Sequence, residues 1–175
     1  ILLLGAAYLN HYLKIGIPDH AGEVMVKGLD KEVSILRDAS GIPHIMAESE
    51  ADAFFALGYA MSQDRLFQME FLRAAGNGSL SEILGESMLK SDKFLRRIML
   101  RPRNPEELFN TFPPGVQTML TAFRDGINSF IKDDPALPIE FRLLGHAPML
   151  WSIADMMAIV KLQSWRSEER RVGKE

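Results

Sequence analysis

A polar cluster follows an apolar run in the first half of the chain, where residues 62–70 read SQDRLFQME. A cluster of this kind could perform acid–base catalysis, but that chemistry also needs a nucleophile or a metal, and neither accompanies it. On a helix, Asp64 can meet Gln68 and Glu70 can meet Arg73, because residues three or four apart are neighbours. We therefore favour a polar clasp that holds a framework together over an active site.

The apolar sequence before this cluster indicates that its charges lie near the protein interior. An unpaired charge there is strongly destabilising, so Asp64 and Arg65 should each meet an opposite charge or a backbone group. Arg37 and Asp38, on a strand that precedes the helix, are the candidates. The sequence thus predicts a clasp between strand and helix.

His44 is the tempting general base, since it lies in GIPHI and histidine titrates near neutral pH. No nucleophile elbow accompanies it, which favours a structural, hydrogen-bonded role. The histidines His11, His20, His44 and His146 show no metal-ligand spacing, and the chain has no cysteine. Residues 76–81, GNGSLS, fall one short of a Gly-x-Gly-x-x-Gly loop and follow a helix, so we expect no nucleotide site.

Composition allows one ordinary globular domain and argues against a nucleic-acid partner. The chain has 175 residues, 47% of them hydrophobic and 25% charged, with a formal net charge of −3. It therefore has no general basic field. A local basic group, Arg96, Arg97, Arg101 and Arg103, is expected to be a solvated face.

The elements that must position these residues follow from periodicity and turn signals. Alternation over residues 23–36 and the turn around Gly41 and Pro43 predict a strand pair. Spacing predicts a helix from residue 50 to about residue 75, stopped by glycines, and shorter helices capped by Ser79 and Ser91. The fold class expected is α+β and rich in helices, with a short β element first.

Two later helices are also predicted. Pro113-Pro114 should open one whose broad apolar stripe, residues 116–131, needs a partner surface, and Ser152 with Asp155 forms a capping box that opens the other. Left uncovered, that stripe would expose apolar surface.

The two ends of the chain read differently from the middle. Residues 1–22 begin with the apolar ILLLGAAYL, which is too short to span a bilayer and is typical of the remnant of a signal peptide or membrane anchor followed by a linker. A buried strand or helix start is the alternative. Residues 166–175, RSEERRVGKE, resemble the translation of a sequencing adapter, so we predict a non-native tail; a solvated helix end is the alternative.

Several motifs, in order, resemble the α chain of the penicillin acylase family of N-terminal nucleophile hydrolases. The family pattern runs Arg-Asp-x-x-Gly-x-Pro-His-Ile, Gly-Tyr, Ala-Gln-Asp-Arg-Leu-Phe-Gln-Met, an arginine-rich helix end, and Gly-x-x-x-Glu-x-Leu-Gly. It is filled here by Arg37, Asp38, Gly41, Pro43, His44 and Ile45; Gly58 and Tyr59; Gln63, Asp64, Arg65 and Gln68 within 63–69; Arg73; and Gly78, Glu82, Leu84 and Gly85. Ser62 stands where alanine is usual. The resemblance continues more loosely and covers roughly residues 33–165, and we assign residues 23–165 as a partial α-chain region.

The resemblance implies an acyl amide hydrolase made as a precursor that cleaves itself into α and β chains within an αββα sandwich. Its substrates would be linear amides, β-lactam side chains or acyl-homoserine lactones, and its nucleophile would be the N-terminal serine of the β chain. That leaves no catalytic residue in this sequence, which would be an inactive N-terminal fragment. The α chain lends pocket residues, placed here at Ser164 and Trp165, and some members bind calcium beyond this stretch.

For partners and location, the resemblance implies the protein's own β chain, a small-molecule amide and a bacterial periplasmic or membrane-anchored extracytoplasmic protein. The alternative hypothesis is a membrane-tethered helical interaction module without catalytic activity. In that case the apolar stripe would be a groove for a partner and the charged tail would be native.

Overall fold

The structure is a computed structural model that describes residues 10, 14–18 and 20–172 of the chain. A short antiparallel strand pair precedes a set of helices, as the sequence predicted, but the first strand covers only Ser34–Arg37 and the alternating residues 23–33 before it are not strand. The sandwich implied by the resemblance is not present in these residues alone. The elements are β1 Ser34–Arg37, β2 Pro43–Met46, α1 Glu50–Asn77, α2 Ser81–Leu84, a 3₁₀ turn Glu86–Met88, α3 Leu89–Arg97, α4 Pro105–Asn110, α5 Pro114–Lys132, α6 Ile139–Leu144 and α7 Ile153–Val172.

The strand pair is set in register by a tight turn. Ile35 pairs with Ile45 and Leu36 with His44, and Gly41 lies in the turn with φ of 77°. That conformation strains residues with a Cβ, which explains glycine there. The pair ends directly before α1.

Helix α1 has a well-defined start and end. Ser49 caps it, since its side chain accepts from the Asp52 backbone N–H at 3.0 Å. Gly78, with φ of 65°, ends it, and its N–H donates to the Ala74 and Ala75 carbonyls. The glycine stop predicted from the sequence is confirmed.

Helices α1 and α5 pack closely because glycines lie at their crossing. A Cβ on Gly58 would lie 2.2 Å from the Phe123 carbonyl oxygen, and one on Gly126 would lie 1.9 Å from the Phe55 carbonyl oxygen. Neither contact is possible for a real side chain. Gly58 of the family motif thus lets two helix backbones approach each other.

Helix α7 also packs against α1, near Gly76 and Ala158. Three apolar clusters result: one between the end of α1 and α3, one around Ile127 and Trp151, and one around Leu66 and Phe141. These clusters fix the frame on which the polar residues are placed.

The predicted caps at Ser79 and Ser91 are wrong. Helix α2 has Leu80 at its N-cap and α3 begins at Leu89, so Ser91 lies inside α3. The side chain that satisfies the start of α2 comes from α3, because the buried carboxylate of Asp92 accepts the Leu80 and Ser81 backbone N–H groups at 2.8 Å each. A cap supplied by a later helix cannot be found by local pattern.

The two predicted end segments fall partly outside the described residues. All of ILLLGAAYL, which is residues 1–9, lies there, together with residues 11–13, 19 and 173–175. No helix among residues 10, 14–18 and 20–172 is both long and apolar enough to cross a membrane. Helix α7 extends to Val172, so the change in charge pattern at residue 166 does not end it, and the origin of the tail stays a prediction.

Candidate functional site

The predicted clasp between strand and helix is present. The Arg37 guanidinium at the end of β1 donates to Asp64 Oδ2 at 2.7 Å and to Gln63 Oε1 at 3.3 Å. His20 Nε2 lies 3.1 Å from the other oxygen of Asp64. The pairing of Asp64 with Arg37 is therefore confirmed.

The expectation that these charges are buried is wrong. A quarter of the Asp64 side chain is exposed, at 25%, and Arg65 and Gln68 are exposed as well. The reason is a kink, since Arg65 has φ of −144° and ψ of 26° inside α1. The buried Ser62 hydroxyl donates to the Gly58 carbonyl at 2.9 Å, a contact that bends helices. Residues 63–65 lie at this break in α1, where Gln63 and Asp64 contact Arg37 of the strand pair.

The Arg-Asp-x-x-Gly motif also builds the turn that presents Arg37. Asp38 Oδ1 accepts the Ser40 and Ile42 backbone N–H groups at 2.8 and 3.0 Å. The bonds from Ile42 and Ser40 hold the pKa of Asp38 below its ordinary value. His44 is exposed on β2, with Nε2 3.4 Å from Asp38 Oδ2, so it lies beside a carboxylate at the surface.

The buried ion pair lies one turn beyond the kink. Glu70 is fully buried, and Arg73 binds it through two bonds, Nε to Oε2 at 2.8 Å and Nη2 to Oε1 at 2.5 Å. The hydrogen bond with Glu70 raises the pKa of Arg73. His146, from the loop after α6, lies with Nε2 3.0 Å from Glu70 Oε1. Through the contact with His146, the Glu70–Arg73 pair connects α1 to the segment that leads into α7.

A second polar centre joins three distant segments at Asp155. Its Oδ1 accepts from Asn77 Nδ2 and from Arg101 Nη1, both at 2.6 Å, and its Oδ2 accepts the Ser152 N–H at 2.8 Å. The capping box of Ser152 and Asp155 is confirmed. Arg73 Nη1 lies 3.9 Å from the same carboxylate, so the two centres form one network.

All four arginines of the basic group are exposed, as expected of a solvated face with counter-charges nearby, but two of them also bind the framework. Arg96 Nε donates to the Gly78 carbonyl at 2.7 Å, and Arg101 reaches Asp155 from the segment after α3. The sequence predicted one part of this network, because the capping box assigned Asp155 to the start of α7. Its other two partners are 54 and 78 residues away, which no local spacing reveals.

Asp155 leads to a pH prediction. Burial alone raises the pKa of Asp155, but the bonds from Ser152, Asn77 and Arg101 outweigh it and hold the pKa below its ordinary 3.8. Because the unfolded chain then binds the proton more readily, this stabilisation is present above pH 3.8 and is lost as the pH falls below it. We expect the stability difference between the parent and Asp155→Asn to shrink on acidification, as measured by urea denaturation at neutral pH and near pH 3.

The control for that measurement is Asp125→Asn, which removes the partly exposed pair with Arg124. Its effect should be small at neutral pH, since exposed ion pairs contribute little. A difference for Asp155→Asn that stays constant or grows toward low pH would contradict the prediction.

An apolar groove runs between α1, α4, α5 and α7. Its volume is about 500 Å³. It is lined mainly by aliphatic, aromatic and methionine side chains: Met61, Met69, Leu72, Leu108, Phe112, Val116, Leu120, Phe123, Trp151, Ile153, Met156, Met157, Ile159 and Val160. The first part of the stripe over residues 116–131 faces this groove, whereas Ile127 and Phe130 are buried in the core.

Neither predicted pocket residue lines the groove. The Ser164 hydroxyl is exposed and donates to the Val160 carbonyl at 3.0 Å. Trp165 packs beside Phe94 of α3, with ring centroids 5.8 Å apart. Their assignment to a substrate pocket stays a prediction.

The described histidines pair with carboxylates and not with hydroxyl groups. Each described histidine, His20, His44 and His146, has Nε2 beside a carboxylate. No serine or threonine hydroxyl bonds to a histidine within residues 20–172. Within the described part of the chain there is also no group of three or more histidine, aspartate or glutamate side chains that could hold a metal ion.

Comparisons with known sequences agree on one family. The sequence model of the family described as penicillin amidase matches residues 32–174. The chain is 36% identical over 149 residues to the penicillin acylase 2 proenzyme of Pseudomonas sp. strain SE83, an alignment that covers 85% of the chain and 19% of that protein. It is 33% identical over 165 residues to the acyl-homoserine lactone acylase QuiP of Pseudomonas aeruginosa, covering 91% of the chain and 19% of that protein.

The fold of the described residues is similar to that of a solved penicillin acylase structure. The thermostable penicillin G acylase from Alcaligenes faecalis matches with a TM-score of 0.72 and 25% identity, over 79% of this chain and 75% of that one. The chain spans about a fifth of the length of the curated relatives it matches. With the family model covering most of the sequence and motif residues in matching order, the chain belongs to the penicillin amidase family.

Proposed function

We propose that this chain is the N-terminal part of a self-processing acyl amide hydrolase and is inactive by itself. The observation that supports the proposal is that the chain belongs to the family but spans only about a fifth of the length of its curated relatives. The described histidines all lie beside carboxylates, and none is hydrogen-bonded to a hydroxyl group. The chemistry then belongs to the remainder of a longer protein, which accords with curated relatives about five times as long.

The reaction proposed follows the resemblance. The N-terminal serine of a second chain attacks the amide carbonyl, and its own α-amine accepts the hydroxyl proton. The acyl group passes to the serine oxygen as the amine leaves with a proton, and water then releases the carboxylic acid. Backbone donors would stabilise the oxyanion in both steps.

In this scheme the described residues hold the framework in position and take no part in the reaction. The Arg37 clasp and the network of Glu70, Arg73 and Asp155 hold α1, α5 and α7 in fixed relation. Calcium, which the resemblance allows in some members, has no cluster of ligands to hold it among the described residues, and no step above uses it. We also propose an extracytoplasmic location, on the strength of the apolar start of the sequence, and cell fractionation tests it.

The proposal is tested with the full-length gene product and the 175-residue chain side by side. A penicillin and an N-acyl-homoserine lactone serve as substrates, because the relatives are named for these two classes. We expect the full-length protein to release a free acid and a free amine, detected by mass spectrometry, and to yield two chains. The 175-residue chain should release neither.

Two outcomes would overturn the proposal. Turnover by the 175-residue chain alone would place the catalyst within it. A correctly folded full-length protein that hydrolyses no acyl amide and remains a single chain would favour the non-catalytic interaction module.

A further inference from the structure

A small hollow lies between β1, the first half of α1 and the segment over residues 20–29. Its volume is about 150 Å³, which is enough for a ligand of the size of benzene. Most of its lining is apolar, and Val26, Ile35 and Phe55 contribute to it. Its polar lining groups are His20, Arg37, Tyr59 and Gln63. The hollow therefore combines apolar walls with a few polar groups, as small-molecule sites do.

The segment over residues 20–29 closes one side of the hollow and is fastened at both ends. At its start, His20 Nε2 lies 3.1 Å from Asp64 Oδ1 of α1. At its end, the Asp30 backbone N–H donates to Asp52 Oδ1, also of α1, at 2.9 Å. Because both contacts are made to the same helix, the hollow is bounded by parts of one framework.

Arg37 lines the hollow and does not use all of its hydrogen-bond donors. Its Nη1 donates to the Gly41 carbonyl at 3.3 Å and to Asp64 Oδ2 at 2.7 Å, and its Nη2 donates to Gln63 Oε1 at 3.3 Å. A guanidinium has five N–H donors, so the Nε hydrogen and one hydrogen of Nη2 have no partner among the residues that the structure describes. The Arg37 Nε is not enclosed by protein, so it is accessible to a ligand.

The unused edge of Arg37 is the edge with which another arginine of this protein binds a carboxylate. Arg73 binds Glu70 through the same two nitrogens, with Nε to Oε2 at 2.8 Å and Nη2 to Oε1 at 2.5 Å. Two parallel donors of this kind match the two oxygens of a carboxylate. Asp64 offsets part of the Arg37 charge but does not line the hollow, and the residues that line it include no aspartate or glutamate to repel an anion.

We propose that this hollow binds a small monocarboxylic acid with a compact apolar body, of about the size of benzoic acid. The carboxylate accepts from Nε and Nη2 of Arg37, and the apolar body packs against Val26, Ile35 and Phe55. A single negative charge fits better than two, since Asp64 already neutralises part of the charge of Arg37. Neither contact involves the proposed hydrolytic reaction.

Equilibrium dialysis with radiolabelled benzoate measures how many molecules of the acid the full-length protein binds. Val26→Trp places a large ring in the hollow from a segment that is neither helix nor strand, and it should lower the number bound by about one molecule for each protein. Leu36→Trp is the matched control, because Leu36 is 57% exposed on β1 and does not line the hollow. It should bind as much benzoate as the parent. Benzoate bound elsewhere on the protein is common to all three proteins and cancels from the difference.

Two results would overturn the proposal. Equal binding by Val26→Trp and Leu36→Trp would place the bound acid outside the hollow. No bound benzoate at millimolar concentration would show that the hollow accepts no such ligand. Circular dichroism establishes that both variants are folded, and Val33→Phe, which also fills the hollow, takes the place of Val26→Trp if that variant unfolds.

The carboxylate contact has its own test in the unsubstituted protein, which keeps the clasp of Arg37 and Asp64 intact. Benzyl alcohol has the same ring but no charge, so it should displace the benzoate molecule that Val26→Trp loses at least about tenfold less well than unlabelled benzoate does. Cyclohexanecarboxylate keeps the carboxylate on a ring of similar size and should displace it within about threefold of benzoate. Equal displacement by benzyl alcohol and benzoate would overturn the contact with Arg37.

Hydrolysis measured on the same protein separates this site from the proposed function. An active enzyme whose benzoate binding is unchanged by Val26→Trp would sink the site alone. Loss of one bound benzoate in Val26→Trp, in a protein without hydrolytic activity, would sink the proposed function and keep the site.

Discussion

Replacing Glu70 with alanine should destabilise the protein by about 3 kcal/mol, because Arg73 would then be a buried charge without its bidentate partner. Glu70 is fully buried and also faces His146 at 3.0 Å, so the change leaves two groups without their acceptor. We place the effect at the lower end of the range for broken buried pairs. Asp155 remains 3.9 Å from Arg73 and offsets part of the loss.

Urea denaturation followed by circular dichroism measures this effect. The control is Asp64→Asn, which breaks the clasp to Arg37 at a carboxylate that is a quarter exposed, and it should cost no more than about 1 kcal/mol. A double variant, Glu70→Leu with Arg73→Met, should recover much of the stability, since apolar residues of similar size can replace a buried pair. Equal effects of Glu70→Ala and Asp64→Asn would show that burial does not distinguish the two pairs.

Replacing Gly126 with alanine should destabilise the protein by about 3 kcal/mol, through a clash that neither helix can relieve alone. The added Cβ would lie 1.9 Å from the Phe55 carbonyl oxygen, which is a backbone atom of α1. Alanine favours helix over glycine by about 1 kcal/mol, and that gain is too small to offset the clash. The two helices must separate, which opens the core around Ile127.

Gly115→Ala is the control within the same helix, because nothing lies within 4 Å of its added Cβ. That variant should be neutral or slightly more stable in the same denaturation experiment. A Gly126→Ala protein as stable as the parent would mean that α1 and α5 do not approach as closely as described. Gly58→Ala, with its contact of 2.2 Å to the Phe123 carbonyl oxygen, should behave like Gly126→Ala.

Local sequence was sufficient for three element boundaries and for one polar contact. The glycine stop at Gly78, the opening of α5 at Pro114 and the capping box at Ser152 follow from backbone preferences of a few residues, and all three are confirmed. The clasp of Asp64 with Arg37 was also predicted, because a charge beside apolar sequence needs a partner and the strand offered one. The family followed from motif order, which requires no coordinates.

Tertiary structure decided which polar groups are buried and what they touch. The kink at Arg65 turned the expected buried charges outward, and the fully buried carboxylate is Glu70. Asp92 caps a helix that precedes it, and Arg101 meets Asp155 over a separation of 54 residues. Periodicity reports only the side of an element that faces inward, whereas pairing across elements depends on how the helices cross. That crossing is set here by close backbone contacts at Gly58 and Gly126, which a sequence read one segment at a time does not contain.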